Sequence, residues 1–256
     1  MTFRRVLVVI PLFNEEETLA QVLSEVRRAV PEADILVVND GSTDRSAAIL
    51  AEVQAQDPAL AVITHRQNEG YGQSLIDGFA YALARGYDAV VTIDCDAQHE
   101  PRQIPQLLAA LAEADIVSGS RYLDPGQGGD PPPPDRLAIN REITARLREL
   151  TGYPLTDAWC GFKAYRAAAL RLLRLSEPGY GMPLQVWIQA ARHGLRVREV
   201  AVPRIYKNPQ RRFWGGLDDA AARRRYYQQV LERELERSGP APQVCGSGER
   251  REGGRG

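Results

Sequence analysis

Cysteine is scarce: Cys95, Cys160 and Cys245 are the only three in a chain of 256 residues. Odd in number and scattered, they make neither a disulfide framework nor a zinc site, and they suit a reducing compartment. Lysine is scarcer still. Lys163 and Lys207 are the only two, and the other basic residues are arginines. That bias fits phosphate recognition by the guanidinium fork, but a GC-rich coding sequence is the favoured cause, since Ala, Gly and Pro also abound. Neither sign of charge prevails, the formal net charge being -1, so no nucleic acid or other polyelectrolyte partner is implied. No run of about 18 apolar residues occurs, so no transmembrane helix is expected. Met1-Thr2-Phe3-Arg4-Arg5 leads straight into Val6–Ile10, without the apolar region or small-residue cleavage site of a secretory leader. The expectation is a cytoplasmic protein, at most peripheral to the cytoplasmic membrane face.

What is present is a rhythm. Val6–Ile10, Ile35–Val38, Ala61–Thr64, Ala89–Ile93 and Asp115–Ser118 are short apolar runs, as strands buried on both faces should be. Between them, Thr18–Val30, Asp44–Gln56, Gln73–Ala84 and Arg102–Ala112 carry helical spacing. Alternation of this kind means an α/β fold with a mostly parallel central sheet flanked by helices. Thr18 and Asp44 are placed to cap the first two helices, and Gly86 to close the third. After Ser120 the rhythm breaks at 124–134, where five prolines and three glycines exclude a helix or central strand and read as a mobile loop. Helices are expected at Arg136–Leu150, near Ala167–Leu173 and at Leu184–His193, a strand at Arg196–Val202 and a strong helix at Asp218–Arg237. The expected layout is one domain over 1–237, with a nucleotide-sugar half (1–123), an acceptor half (124–217) and a C-terminal helix (218–237). A tail at 238–256 has nothing to pack and reads as disordered.

Strand ends carry the chemistry. Val90-Val91-Thr92-Ile93 runs into Asp94-Cys95-Asp96-Ala97-Gln98-His99, so two carboxylates emerge where βα loops build a site. With Gln98 they suit a hard divalent cation bridging to a nucleotide diphosphate. The first strand exits into Pro11-Leu12-Phe13-Asn14-Glu15 and the second into Asn39-Asp40-Gly41-Ser42-Thr43-Asp44. Asp40 and Glu15 are placed to accept hydrogen bonds from a base or ribose, while Gly41 and Asp44 read as turn and helix start. Asn68-Glu69-Gly70-Tyr71-Gly72 precedes a helix but makes neither GxGxxG nor a P-loop, which argues against a dinucleotide oxidoreductase and a P-loop NTPase.

These four segments, in order and spacing, resemble the family 2 glycosyltransferases of GT-A (nucleotide-diphospho-sugar transferase) fold. Within that family the chain looks most like the dolichyl- or polyprenyl-phosphate mannosyl- and glucosyltransferases. The resemblance implies inverting hexose transfer from a nucleotide-diphosphate sugar of the GDP-mannose or UDP-glucose type, aided by Mg²⁺ or Mn²⁺. Carried over, Pro11, Phe13, Glu15 and Asp40 would hold base and ribose, and Asp94, Asp96 and Gln98 the metal and diphosphate, with Asp96 at the catalytic centre. Ser118-Gly119-Ser120-Arg121 matches a segment whose arginine faces a lipid phosphate. Arg136, Asn140 and Thr144 match a helix of further acceptor contacts, although a serine is usual where Asn140 stands. Arg212, in the basic stretch Tyr206–Gly216, would close over the donor diphosphate.

Asp157-Ala158-Trp159-Cys160-Gly161-Phe162 matches the family's Asp-x-x-x-Gly-Phe motif. Asp157 is then a general base or an acceptor-positioning group. A hydroxyl acceptor needs a base, whereas a phosphate is already anionic near neutral pH. The acceptor expected is a polyprenyl phosphate; the alternative is a saccharide or other soluble hydroxyl with Asp157 as base. A non-catalytic nucleotide-sugar binder is the remote alternative, distinguished by lack of metal-dependent donor hydrolysis. Arg223-Arg224-Arg225-Tyr226-Tyr227 reads either as an anionic-headgroup contact or as a solvated helix face.

Overall fold

The computed structural model describes residues 3–57, 59–124, 126, 129–206 and 217–237. The first half is strictly alternating: β1 (Val6–Leu12), α1 (Leu19–Ala29), β2 (Asp34–Asn39), α2 (Ser46–Gln56), β3 (Leu60–Thr64), α3 (Tyr71–Ala84) and β4 (Ala89–Thr92). A 3-10 turn (Pro101–Gln103) leads into α4 (Ile104–Ala110) and β5 (Ile116–Ser120). Then follow α5 (Pro134–Thr151), β6 (Lys163–Arg166), α6 (Ala167–Leu170), α7 (Met182–Arg192), β7 (Val197–Ala201) and α8 (Ala220–Arg237).

The strands form one sheet in the order β3-β2-β1-β4-β6-β5-β7. Successive residues of β1 serve opposite faces. Leu7 and Val9 join the core under α3, α5, α7 and α8, whereas Val8 and Ile10 join the core under α1, α2 and α4. Burial on both sides is why the strand reads as an unbroken apolar run, and each such side chain contributes roughly 1.5–3 kcal/mol. From β1 the chain winds outward through β2 and β3, then returns to place β4 on the other side of β1. That reversal opens a crevice at the carboxyl ends of β1 and β4, the usual ligand position in such sheets.

The mostly parallel expectation holds with one exception. β6 lies antiparallel between β4 and β5, pairing Thr92 with Lys163 and Ser118 with Lys163 from its two sides. Its four residues, Lys-Ala-Tyr-Arg, alternate too briefly to announce a strand. Lys163 is nonetheless 3 % exposed, its ammonium donating to the Cys160 carbonyl and lying over the Trp187 ring.

Local signals divide. Gly86 closes α3 with φ +71° as expected. Thr18 does not cap α1: its hydroxyl donates to the Cys95 carbonyl at 2.6 Å, tying the helix start to the Asp94–Asp96 segment. Asp44 accepts from Ser46 N–H at 2.9 Å, and α2 begins at Ser46. The tail from 238 onward, expected to be disordered, lies outside the described residues.

Candidate active site

The carboxyl ends of β1, β2 and β4 open into a cavity of about 710 Å³. Pro11, Phe13, Glu15, Asp40, Asp94, Asp96 and Gln98 line it, as do Arg121 and Arg136. The structure thus gathers nine expected residues around one space. Asp157 is fully buried and stands outside the lining. Arg212 lies outside the described residues.

Asp94 is held by aromatic neighbours. Tyr71 donates its hydroxyl to Oδ1 at 3.0 Å, and His99 Nε2 lies 3.2 Å from Oδ2. Tyr71 stacks on Tyr180 with ring centroids 5.7 Å apart. Burial, and then the charge of Asp94, push the Tyr71 phenol well above its ordinary range, so it remains a donor. Gly161 passes directly under this carboxylate, where a Cβ would collide with both oxygens. Asp96 accepts from Gln98 N–H at 3.0 Å across Ala97, whose φ of +54° is a left-handed conformation uncommon for a residue with a Cβ.

Asp94, Asp96 and Gln98 offer the hard oxygen donors that Mg²⁺ and Mn²⁺ take. Among the described residues no cluster of three or more His, Cys, Asp or Glu forms a complete cage. Such a partial set fits an ion that completes its shell with water and diphosphate oxygens.

Asp40, at the end of β2, is 3 % exposed. Its Oδ1 accepts from Glu69 N–H at 2.7 Å and lies 2.7 Å from His65 Nδ1. Its Oδ2 accepts from Gly70 N–H at 2.9 Å. Gly70 has φ +111° and sits against the Pro178 carbonyl, where no side chain fits. Asp40 therefore pins the 68–70 segment to the wall of the cavity it lines.

Asp157 makes a closed clasp. Arg121 donates Nε to Oδ2 at 2.6 Å and Nη2 to Oδ1 at 3.0 Å. Asn140 Nδ2 and Trp159 N–H donate to Oδ1 at 2.9 and 3.1 Å, and Arg121 N–H to Oδ2 at 3.2 Å. Burial alone would raise the Asp157 carboxyl; the Arg121 guanidinium and the Asn140 and Trp159 donors outweigh it and hold the group well below the usual carboxylate range. Thr144 extends the clasp, donating to Asn140 Oδ1 at 2.9 Å and accepting from Ala158 N–H at 3.2 Å. From β7, Glu199 fixes the same loop by accepting from Thr156 and Asp157 N–H.

Residues 7–173 match the model of Glycosyl transferase family 2. The chain belongs to that family. This glycosyltransferase is 39% identical over 201 residues to an undecaprenyl-phosphate mannosyltransferase of Micrococcus luteus, covering 77% of this chain and 82% of that one. It is 35% identical over 204 residues to a polyprenol monophosphomannose synthase of Mycolicibacterium smegmatis, covering 78% and 77%. Among solved structures, glucosyl-3-phosphoglycerate synthase of Mycobacterium tuberculosis in complex with phosphoglyceric acid superposes with a TM-score of 0.68 at 25% identity, over 90% of this chain and 80% of that one. The same synthase with Mg²⁺ and uridine diphosphate gives a TM-score of 0.65 at 25% identity, over 90% and 79%. The architecture is the GT-A fold.

In this glycosyltransferase the last helix closes the cavity instead of standing apart. Arg223 is 2 % exposed, donating to the Leu217 carbonyl and pairing with Asp135. Arg224 pairs with Glu142 at 2.6 Å. Tyr226 donates to Glu177 at 2.6 Å and accepts from Gly181 N–H at 3.0 Å, and Tyr227 packs on Trp159 with centroids 4.1 Å apart. This corrects the reading of Arg223–Tyr227 as a uniformly solvated helix face: Arg223 and Tyr227 are buried, Arg224 and Tyr226 are half-buried against their own protein, and Arg225 is the arginine left exposed. No helix among the described residues is long and apolar enough to cross a membrane.

Sequence reasoning missed the groups that aim the acids. Tyr71 and His99 stood inside quoted motifs without a role, and His65 stood in none. For His99, five residues beyond Asp94, closeness to a strand-end acid was the available signal; Tyr71 and His65 lie 23 and 25 residues from the acids they meet and carried none.

Proposed function

We propose that this glycosyltransferase moves a hexose from a nucleotide-diphosphate sugar to a polyprenyl phosphate, inverting the anomeric centre. The observation that carries the choice of acceptor is the closed state of Asp157. A general base needs a free lone pair and a pKa near the working pH, and Asp157, enclosed by donors and held strongly acidic, has neither. A phosphate acceptor needs no base, because it arrives as an anion. The hydroxyl-acceptor alternative loses the residue on which it rested.

Asp157 instead orients Arg121, which lines the cavity, as Arg136 and Arg223 do. Bidentate arginine is the chemistry for a phosphomonoester, and both curated relatives are named for polyprenyl-phosphate mannosyl products or acceptors. Pro11, Phe13, Glu15 and Asp40 line the donor end. Asp94, Asp96 and Gln98 would hold Mg²⁺ or Mn²⁺, which when bound supplies charge neutralisation of the leaving nucleoside diphosphate. Tyr71 and Gly161 keep Asp94 in place for that duty. The two ends of the cavity thereby bring an anionic nucleophile and an electrophilic sugar together, and orientation of this kind lowers the barrier.

The test is transfer from radiolabelled GDP- and UDP-sugars to a short-chain polyprenyl phosphate with Mg²⁺ or Mn²⁺. Label enters the organic phase with the wild type and not with Asp96→Ala or Arg121→Ala. Donor hydrolysis without lipid labelling overturns the acceptor, and no turnover of any donor overturns the reading as a whole.

A further inference from the structure

His65 directly follows β3 and takes no part in the chemistry described above, yet its ring lies between two carboxylates. Nδ1 is 2.7 Å from Asp40 Oδ1, and Nε2 is 3.0 Å from Asp77 Oδ2 on α3. The His65 side chain is 8 % exposed and that of Asp40 4 %, so bulk water does not substitute for the bond between them, while Asp77, at 32 %, braces the ring from the partly exposed side. A neutral imidazole has one N–H and would turn a bare nitrogen lone pair toward one of these anions. Only the doubly protonated ring donates to both.

We propose that His65 is a positioning residue of the donor nucleoside site, aiming the Asp40 carboxylate at the nucleobase as an imidazolium braced by Asp77. The inference rests on the reading of Asp40 as a donor contact. A carboxylate has about four acceptor positions. His65, Glu69 N–H and Gly70 N–H occupy three of those on Asp40, which leaves one for the cavity that Asp40 lines. An ionised acid with one open lone pair selects a base edge that presents an N–H, as uracil and guanine do.

Asp40 faces His65 from the end of β2, Asp77 from α3 and Glu69 from the 68–70 segment. Burial disfavours the imidazolium; the Asp40 hydrogen bond and then the charges of Asp40, Glu69 and Asp77 outweigh it and raise the His65 pKa. Charge on His65 is therefore present at low pH and lost as pH rises through a value above about 6.5. Gln73 donates to Asp77 at 3.1 Å and keeps that carboxylate in place behind the ring.

The experiment is calorimetric titration of the full chain with UDP, GDP and inorganic pyrophosphate, each with Mg²⁺, between pH 6 and 8.5. Wild-type affinity for the preferred nucleoside diphosphate falls about tenfold as His65 deprotonates, while pyrophosphate, which has no base, shows no such step. His65→Asn retains an amide N–H toward Asp40 and binds within about threefold of the wild type at low pH, without the pH step. His65→Leu binds the nucleoside diphosphate at least tenfold more weakly, with pyrophosphate unaffected. Asp77→Asn, which leaves Asp40 and its three donors in place, moves the step to lower pH by about one unit. The inference is overturned if Asp77→Asn leaves the step where it was, or if pyrophosphate reproduces it. Equal nucleotide binding by His65→Leu and wild type also overturns it while the donor reading stands. A wild type that binds neither UDP nor GDP overturns the donor reading and this inference together.

Discussion

At the ends of β1, β2 and β4 the acids keep an opening to the cavity, whereas across that cavity Asp157 is sealed beneath Arg121. The Asp94 side chain is 24 % exposed and that of Asp157 0 %. Both sit in loops on the same rim and both belong to short motifs, but they answer different demands. An acid proposed to meet a cation from solution stays open to the cavity and is steadied from behind, as Tyr71 and His99 steady Asp94. An acid that aims a cation spends its lone pairs on it, as Asp157 does with Arg121 and Asn140. Motif membership alone did not separate the two roles; hydrogen-bond occupancy did.

Breaking the open side has the largest expected effect. Asp96→Ala removes a proposed metal and diphosphate contact and lowers kcat/KM by on the order of 10³-fold or more, read in the lipid-labelling assay with melting temperature unchanged within a few degrees.

Breaking the closed side acts on stability first. Asp157→Ala leaves the Arg121 guanidinium partly buried without its counter-charge, a change that costs about 3–5 kcal/mol, measured by denaturant unfolding. The pH sign follows from the depressed native pKa of Asp157. The clasp stabilises fully above the unfolded carboxyl value near 3.9 and loses its contribution as pH falls toward the lower native value. The variant therefore shows at pH 7 the deficit that the wild type develops only in acid. A kcat profile with a limb assignable to Asp157 in the neutral range overturns its role as an orienting group.

Two subtler changes sharpen the contrast on the open side. Gly161→Ala pushes a methyl group into the Asp94 carboxylate and costs about 10²-fold in turnover, with the Mg²⁺ concentration for half-maximal rate raised. Tyr71→Phe removes one of the bonds that steady Asp94, costs about 1 kcal/mol of stability, and lowers activity by tenfold or less.

The donor side was the more legible because its residues follow their strands directly. Parallel strands place every βα loop at one end, so Pro11, Asp40 and Asp94 share a rim as soon as the strands are recognised. Their neighbours were less legible. His65 and Asp77 reach Asp40 from β3 and α3, and nothing in local sequence spacing joins 40, 65 and 77. β6 was missed because Lys163-Ala164-Tyr165-Arg166 owes its place to the gap between β4 and β5, and not to its own pattern.

Sequence by itself determined the alternation of elements, the two-faced burial of β1 and the motifs that mark the donor rim. These depend on side-chain periodicity and on residues close along the chain. Only the tertiary structure decided that Asp157 is spent on Arg121 and Asn140, that α8 turns Tyr226 and Tyr227 inward, and that His65 stands between two acids. Each depends on atoms brought together from distant segments, where burial and hydrogen-bond occupancy, not residue type, set what a side chain is free to do.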